Sequence, residues 1–150
     1  MSIRIVPMAE RHLTALAEIE RACFHEPWSA DALREELAAG HPFLTAEDET
    51  GEVLGYVGCQ TVLDEGYITN VAVAPAARRR GAGRALLDEL TRQAQARGLS
   101  FVTLEVRVSN AAAIALYEGA GYARVGVRKR FYTAPTEDAL LMTLYLKEQV

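Results

Sequence analysis

Two side chains in the 150-residue sequence are of the types needed to move protons across a reacting centre. Glu105 interrupts the apolar run Phe101-Val102-Thr103-Leu104-Glu105-Val106, where a carboxylate is costly unless it is paired or put to work. Tyr117 sits in the alanine-rich, helix-like stretch from Asn110 to Glu118 that follows. A strand followed by a helix can bring both side chains to one end of a sheet. There a carboxylate can accept the proton of an attacking amine, directly or through a water, and a phenol can supply a proton to a departing thiolate. Plainer roles fit the same residues: an ion pair of Glu105 with Arg107, and a core tyrosine packed on Leu116. Residue chemistry alone leaves both readings open.

A second informative stretch runs from Asn70 through Val71-Ala72-Val73-Ala74-Pro75 and the basic turn Arg78-Arg79-Arg80-Gly81-Ala82-Gly83-Arg84 into a helix. Glycines let backbone N–H groups approach a ligand closely, and a helix N-terminus adds free donors and partial positive charge. Arginines add charge that is never titrated away. The turn therefore suits a phosphate, although a glycine turn opening a helix is also compatible with a structural role only. It lacks G-x-x-x-x-G-K-[ST], which excludes a P-loop nucleotide hydrolase, and it lacks the third glycine of a dinucleotide fingerprint.

The segment Arg78-x-x-Gly81-x-Gly83 resembles the R/Q-x-x-G-x-G/A signature of the GNAT acetyltransferase superfamily. That resemblance implies acetyl-coenzyme A as cosubstrate, with no metal. Val71, Ala72 and Val73 would meet the acetyl-pantetheine arm, and Arg79, Arg80, Gly81, Ala82, Gly83 and Arg84 would line the pyrophosphate. The run Leu104-Glu105-Val106-Arg107-x-Ser109-Asn110-x-x-Ala113-x-x-Leu116-Tyr117-Glu118, followed by Gly121-Tyr122, resembles the RimI group of that superfamily. Pro27-Trp28-Ser29 and Glu137-Asp138-Ala139 extend the match. The group acetylates the N-terminal alanine of the eighteenth small-subunit ribosomal protein. By position, the resemblance makes Glu105 the proton acceptor, Tyr117 the proton donor and Asn110 a coenzyme contact. It also implies a peptide groove between the loop after the second helix and the last hairpin, with Tyr132 as a candidate peptide contact. The hairpin departs from the group's pattern: Phe131 replaces a tyrosine, a turn glycine is missing and the proline is displaced.

Acid–base chemistry agrees with a terminal amine. An α-amino group has a pKa near ~7.8 and a lysine near ~10.4, so far more of the former is unprotonated at neutral pH. Neither Cys23 nor Cys59 lies in a recognisable nucleophile setting, so direct transfer is expected, without an acetyl-cysteine intermediate. A lysine side chain or small-molecule amine is the alternative acceptor, and a non-catalytic coenzyme A-binding module is a third reading.

The elements that must position these residues follow from pattern. Ile3–Val6 reads as a strand ended by Pro7, and Leu13, Leu16, Ile19, Glu20 and Cys23 recur at helical spacing. Ser29 is a candidate cap for a second helix through Ala39, with Gly40 as its stop. Strands are expected at Pro42–Glu47, Val53–Leu63, Gly66–Val73, Phe101–Val106, Tyr122–Tyr132 and Ala139–Leu146. Helices are expected at Gly83–Arg97 and Asn110–Glu118. This order gives an α/β fold with a mixed sheet. The resemblance sharpens it to a mostly antiparallel sheet with a parallel splayed pair at the coenzyme site and about four helices.

Bulk properties bound the rest. Half the residues are hydrophobic, 24% are charged, and the net charge is −4. That is ordinary for a globular chain and argues against a broad nucleic-acid binder. No linker or repeat divides residues 1–150, which are expected to form one domain. The N-terminus lacks a signal-peptide core and no apolar run would span a bilayer, so a cytoplasmic protein with no membrane partner is expected. Positive charge gathers at Arg78–Arg84 and again at Arg124, Arg128, Lys129 and Arg130, a pattern suited to a small anionic ligand.

Overall fold

The computed structural model describes residues 2–147. Seven strands form one sheet in the order β1-β2-β3-β4-β5-β7-β6. These are β1 (Ile3–Pro7), β2 (Leu44–Asp48), β3 (Val53–Val62), β4 (Glu65–Val73), β5 (Phe101–Arg107), β6 (Ala123–Tyr132) and β7 (Glu137–Tyr145). Every neighbouring pair is antiparallel except β4 and β5, which run parallel. Four α-helices are present among the described residues: α1 (Leu13–Cys23), α2 (Ala30–Ala38), α3 (Ala82–Ala96) and α4 (Ala111–Gly119). The mixed sheet and the parallel pair expected above are both present. The strand expected to open at Ala139 begins instead at Glu137.

Local chemistry accounts for the helix ends. The Ser29 side chain accepts from the Ala32 amide at 3.1 Å and so caps α2, as its position predicted. Asn110 caps α4 in the same way, accepting from the Ala113 amide at 3.2 Å. No side-chain cap closes α3, which starts from Gly81 at φ +86°, a left-handed conformation that favours glycine.

Apolar clusters pack against both faces of the sheet, while β6 is exposed along most of its length. Leu86, Leu87 and Leu90 of α3 and Ile114 of α4 join Val57, Cys59, Val102 and Leu104 in one apolar cluster. Leu13, Leu16 and Ile19 of α1 and Leu33 of α2 join Phe43, Tyr56 and Ala72 in another. Strand alternation explains the split: neighbours Tyr56 and Val57 of β3 enter different clusters, as do Ala72 and Val71 of β4.

The feature that matters for function is where the parallel pair stops. β4 and β5 pair only through Glu65–Phe101, Gly66–Val102 and Tyr67–Thr103. Beyond that point β4 stays with β3 as far as Val73, and β5 stays with β7 as far as Arg107. The divergence coincides with a bulge, because Gly58 pairs with Asn70 while Cys59 pairs with Ile68, leaving Thr69 extra. Bulges bend the strand that carries them. The Thr69 hydroxyl donates to the Gly58 carbonyl at 3.3 Å across the bulge. A Cβ at Gly58 would lie 2.7 Å from both the Phe43 ring and the Thr69 hydroxyl, so this site needs glycine for close approach.

Candidate active site

The notch between the diverging strands opens into a cleft of about 780 Å³. β4 contributes Tyr67 to Val71, β5 contributes Leu104 to Arg107, and α4 with its cap contributes Asn110, Ala113 and Tyr117. Phe24, Glu26 and Trp28 from the connection between α1 and α2 form one wall, and Phe131 to Pro135 of the last hairpin form the other.

Glu105 and Tyr117 both line this cleft, so the two residues singled out for proton transfer are brought together. The Glu105 side chain is only 7% exposed and is held from two sides. The Tyr67 hydroxyl donates to its Oε2, and the Arg128 guanidinium lies 3.5 Å from its Oε1. Its partner is therefore not Arg107, the plain ion pair the sequence left open. Arg107 turns instead to the hairpin, binding Glu137 and the Pro135 and Thr133 carbonyls at 3.0–3.1 Å. Burial, and then the hydrogen bond to Glu105, push the Tyr67 phenol above its ordinary range, so at neutral pH it stays protonated as a donor.

Tyr117 is buried but for its edge on the cleft, with its ring 5.9 Å from that of Tyr122. Burial pushes its phenol upward too, which keeps the proton on the oxygen at neutral pH.

The residues expected to hold coenzyme divide into two groups. Val71 and Asn110 line the cleft. Asn110 Oδ1 is already used as the α4 cap, so a ligand would have to use the rest of that side chain. Ala72, Val73 and residues 79–84 do not line the cleft but adjoin it. Ala72 sends its side chain into the core beside α1, leaving only its backbone for a ligand. Beyond Tyr67, β4 has a strand partner on its β3 side only. At the end of β4, Arg79 (φ +67°) and Gly81 wind the chain into the start of α3, which has no side-chain cap on its first amides. Gly83 lets α3 approach α4, since a Cβ there would lie 3.0 Å from Leu116. Arg84 binds Asp88 one turn along its own helix at 2.9 Å.

Sequence reasoning missed a buried carboxylate beside the notch. Glu20 falls on the apolar face of α1 and is fully buried. It accepts from the Trp28 amide at 2.8 Å, the Tyr56 hydroxyl at 3.0 Å and Asn70 Nδ2 at 3.2 Å. The helical spacing of residues 13–23 placed Glu20 on the inward face; its acidity there was the available signal. Burial, only partly opposed by these donors, pushes its carboxyl above the ordinary range.

Comparison with known proteins settles the family. The model of the acetyltransferase (GNAT) family matches residues 13–122, which span α1, the arginine–glycine turn, Glu105 and Tyr117. The chain belongs to the GNAT acetyltransferases. It is 37% identical over 145 residues to the [ribosomal protein bS18]-alanine N-acetyltransferase of Haemophilus ducreyi, covering 95% of this chain and 99% of that one. It is 38% identical over 135 residues to the protein of that name from Escherichia coli (strain K12), covering 88% and 90%. The crystal structure of the ribosomal-protein-S18-alanine N-acetyltransferase from Escherichia coli superposes with a TM-score of 0.88 at 34% identity, covering 99% and 97%.

In this GNAT protein two of the chain's connections line the cleft, and the loop after α2 is not among them. The last hairpin forms one wall and the α1–α2 connection another, while His41 in the loop after α2 accepts from the Thr61 amide. Tyr132 lines the cleft with the Arg107 guanidinium 4.5 Å over its ring, and burial beside Glu105 pushes its phenol to about 12. Three basic residues of β6 meet separate carboxylates. Arg124 pairs with Glu118, Arg128 with Glu105 and Lys129 with Asp138.

Proposed function

We propose that the chain transfers the acetyl group of acetyl-coenzyme A directly to the α-amine of a protein N-terminus, the N-terminal alanine of ribosomal protein bS18. The observation that carries this reading is the pairing of Glu105 and Tyr117 on one cleft at the splayed end of β4 and β5. The names of relatives 37–38% identical over nearly the whole chain support the acceptor. A ribosomal acceptor implies a cytoplasmic site of action.

The attacking nitrogen forms a bond to the thioester carbonyl carbon, and its proton passes to Glu105, directly or through a water. As the carbon–sulfur bond breaks, the sulfur takes the phenolic proton of Tyr117. Coenzyme is held by Val71, Ala72, Val73 and Asn110 along the notch, and by Arg79, Arg80, Gly81, Ala82, Gly83 and Arg84 at the start of α3. Tyr132 and the α1–α2 connection receive the peptide.

Thiol release from acetyl-coenzyme A tests the acceptor class with two peptides. One has a free N-terminal alanine and no lysine; the other has a blocked N-terminus and an internal lysine. Release with the first alone is expected. Release with the second alone would make this a lysine acetyltransferase, an outcome the altered residues around Phe131 would then explain.

A further inference from the structure

A buried carboxylate held only by uncharged donors contributes little to stability in its own right, because its desolvation offsets the bonds it makes. Glu20 is such a group, yet donors from three separate parts of the chain converge on it. The Trp28 amide belongs to the α1–α2 connection, the Tyr56 hydroxyl to β3, and Asn70 to the bulged region of β4. Asn70 Nδ2 also lies 3.3 Å from the Tyr56 hydroxyl, which closes the network. Trp28 and Asn70 line the cleft, while Tyr56 lies fully buried behind it. The network thus joins the core to two points on the cleft that no strand ladder connects.

We infer that Glu20 is a positioning residue that pins the α1–α2 connection, through the Trp28 amide, to Asn70 at the mouth of the notch and so sets the wall that receives the acceptor. It touches neither substrate, and it acts through Trp28 and Asn70. The inference rests on the acceptor site proposed above. The raised carboxyl agrees with it: a carboxyl held above its ordinary range loses stabilising effect as pH rises through that range.

Glu20→Gln tests this, because it keeps the shape while removing charge and one acceptor. Trp28 is the chain's only tryptophan, so acrylamide quenching of its fluorescence reports the connection without any substrate. The Michaelis constants are measured with whichever of the two peptides the wild-type enzyme acetylates. Lack of turnover of the alanine peptide by wild type therefore counts against the acceptor and not against Glu20. The expected result is an acceptor KM raised by about fivefold or more, the factor carried by one ordinary hydrogen bond, with the acetyl-coenzyme A KM within about twofold. Quenching should increase and the thermal midpoint should hold. Glu20→Gln with Asn70→Asp exchanges acceptor and donor across the same contact and should restore the acceptor KM to within about twofold of wild type. An unchanged acceptor KM, unchanged quenching, or a rise in both Michaelis constants with a falling thermal midpoint would each overturn the inference, as would failure of the exchange to restore binding.

Discussion

Glu105 is asked to accept a proton while already held by the Tyr67 hydroxyl and the Arg128 guanidinium. Such support fixes the carboxylate against the cleft, which general-base catalysis requires before any question of proton affinity. Glu105→Gln is therefore expected to lower kcat by about 10²-fold or more in a steady-state thiol-release assay, with the acetyl-coenzyme A KM little changed. Tyr117→Phe should also slow turnover, by about 10²-fold, while coenzyme affinity measured by calorimetry stays near wild type. Full activity in either variant would remove that residue from its role. Both residues could be read from the sequence because each sits in a long motif. Their partners could not. Tyr67 reaches Glu105 from another strand, and the contact depends on where the β4–β5 ladder stops. Glu20 showed only that it faced inward; what it would bind depended on a connection folding back over β3 and β4.

Among the elements, β4 does most to shape the site. Its residue pattern announced a strand, and the turn after it carried the arginines and glycines that suit a phosphate. The bulge at Thr69 left no comparable mark, because the register of two strands is a property of the pair and not of either sequence. Gly58 was the one local hint. Gly58→Ala would drive a methyl group into the buried Phe43 ring, and the expected cost is about 1–3 kcal/mol in denaturant unfolding, the range for overpacking a core. Wild-type stability in that variant would mean that the notch does not depend on close approach at the bulge. In the basic run of β6, too, the partners were not legible. Charges adjacent in sequence point to both faces of a strand, and here they find separate carboxylates on α4, β5 and β7.

Across the whole molecule, the edge of the sheet far from the cleft is closed by a charge network around one buried carboxylate. The Glu47 carboxylate of β2 is fully buried and receives Arg4 at 3.2 Å, Arg11 at 2.5 Å and His12 Nε2 at 2.7 Å. The Ala9 amide donates to His12 Nδ1 at 2.9 Å, so in the neutral ring Nε2 carries the proton and donates to Glu47. The hydrogen bond from Arg11 leads in holding the Glu47 carboxyl below its ordinary range. A carboxylate depressed in this way stabilises the fold above its unfolded value of about 4.3, and that contribution is lost as pH falls through the depressed value. Glu47→Gln should therefore lower the thermal midpoint at neutral pH, and the gap from wild type should close as the pH falls below that range. A gap independent of pH would show that charge at Glu47 is not what closes this edge.

Acetylation of the N-terminal alanine of ribosomal protein bS18 can be tested directly. Purified bS18 with a free N-terminus, incubated with the enzyme and acetyl-coenzyme A, can be digested and its acetyl group located by fragmentation mass spectrometry. A single acetyl group on the N-terminal alanine, absent when Glu105→Gln replaces the wild-type enzyme, is the predicted result. Acetylation confined to lysine side chains, or an unmodified protein after prolonged incubation, would contradict it.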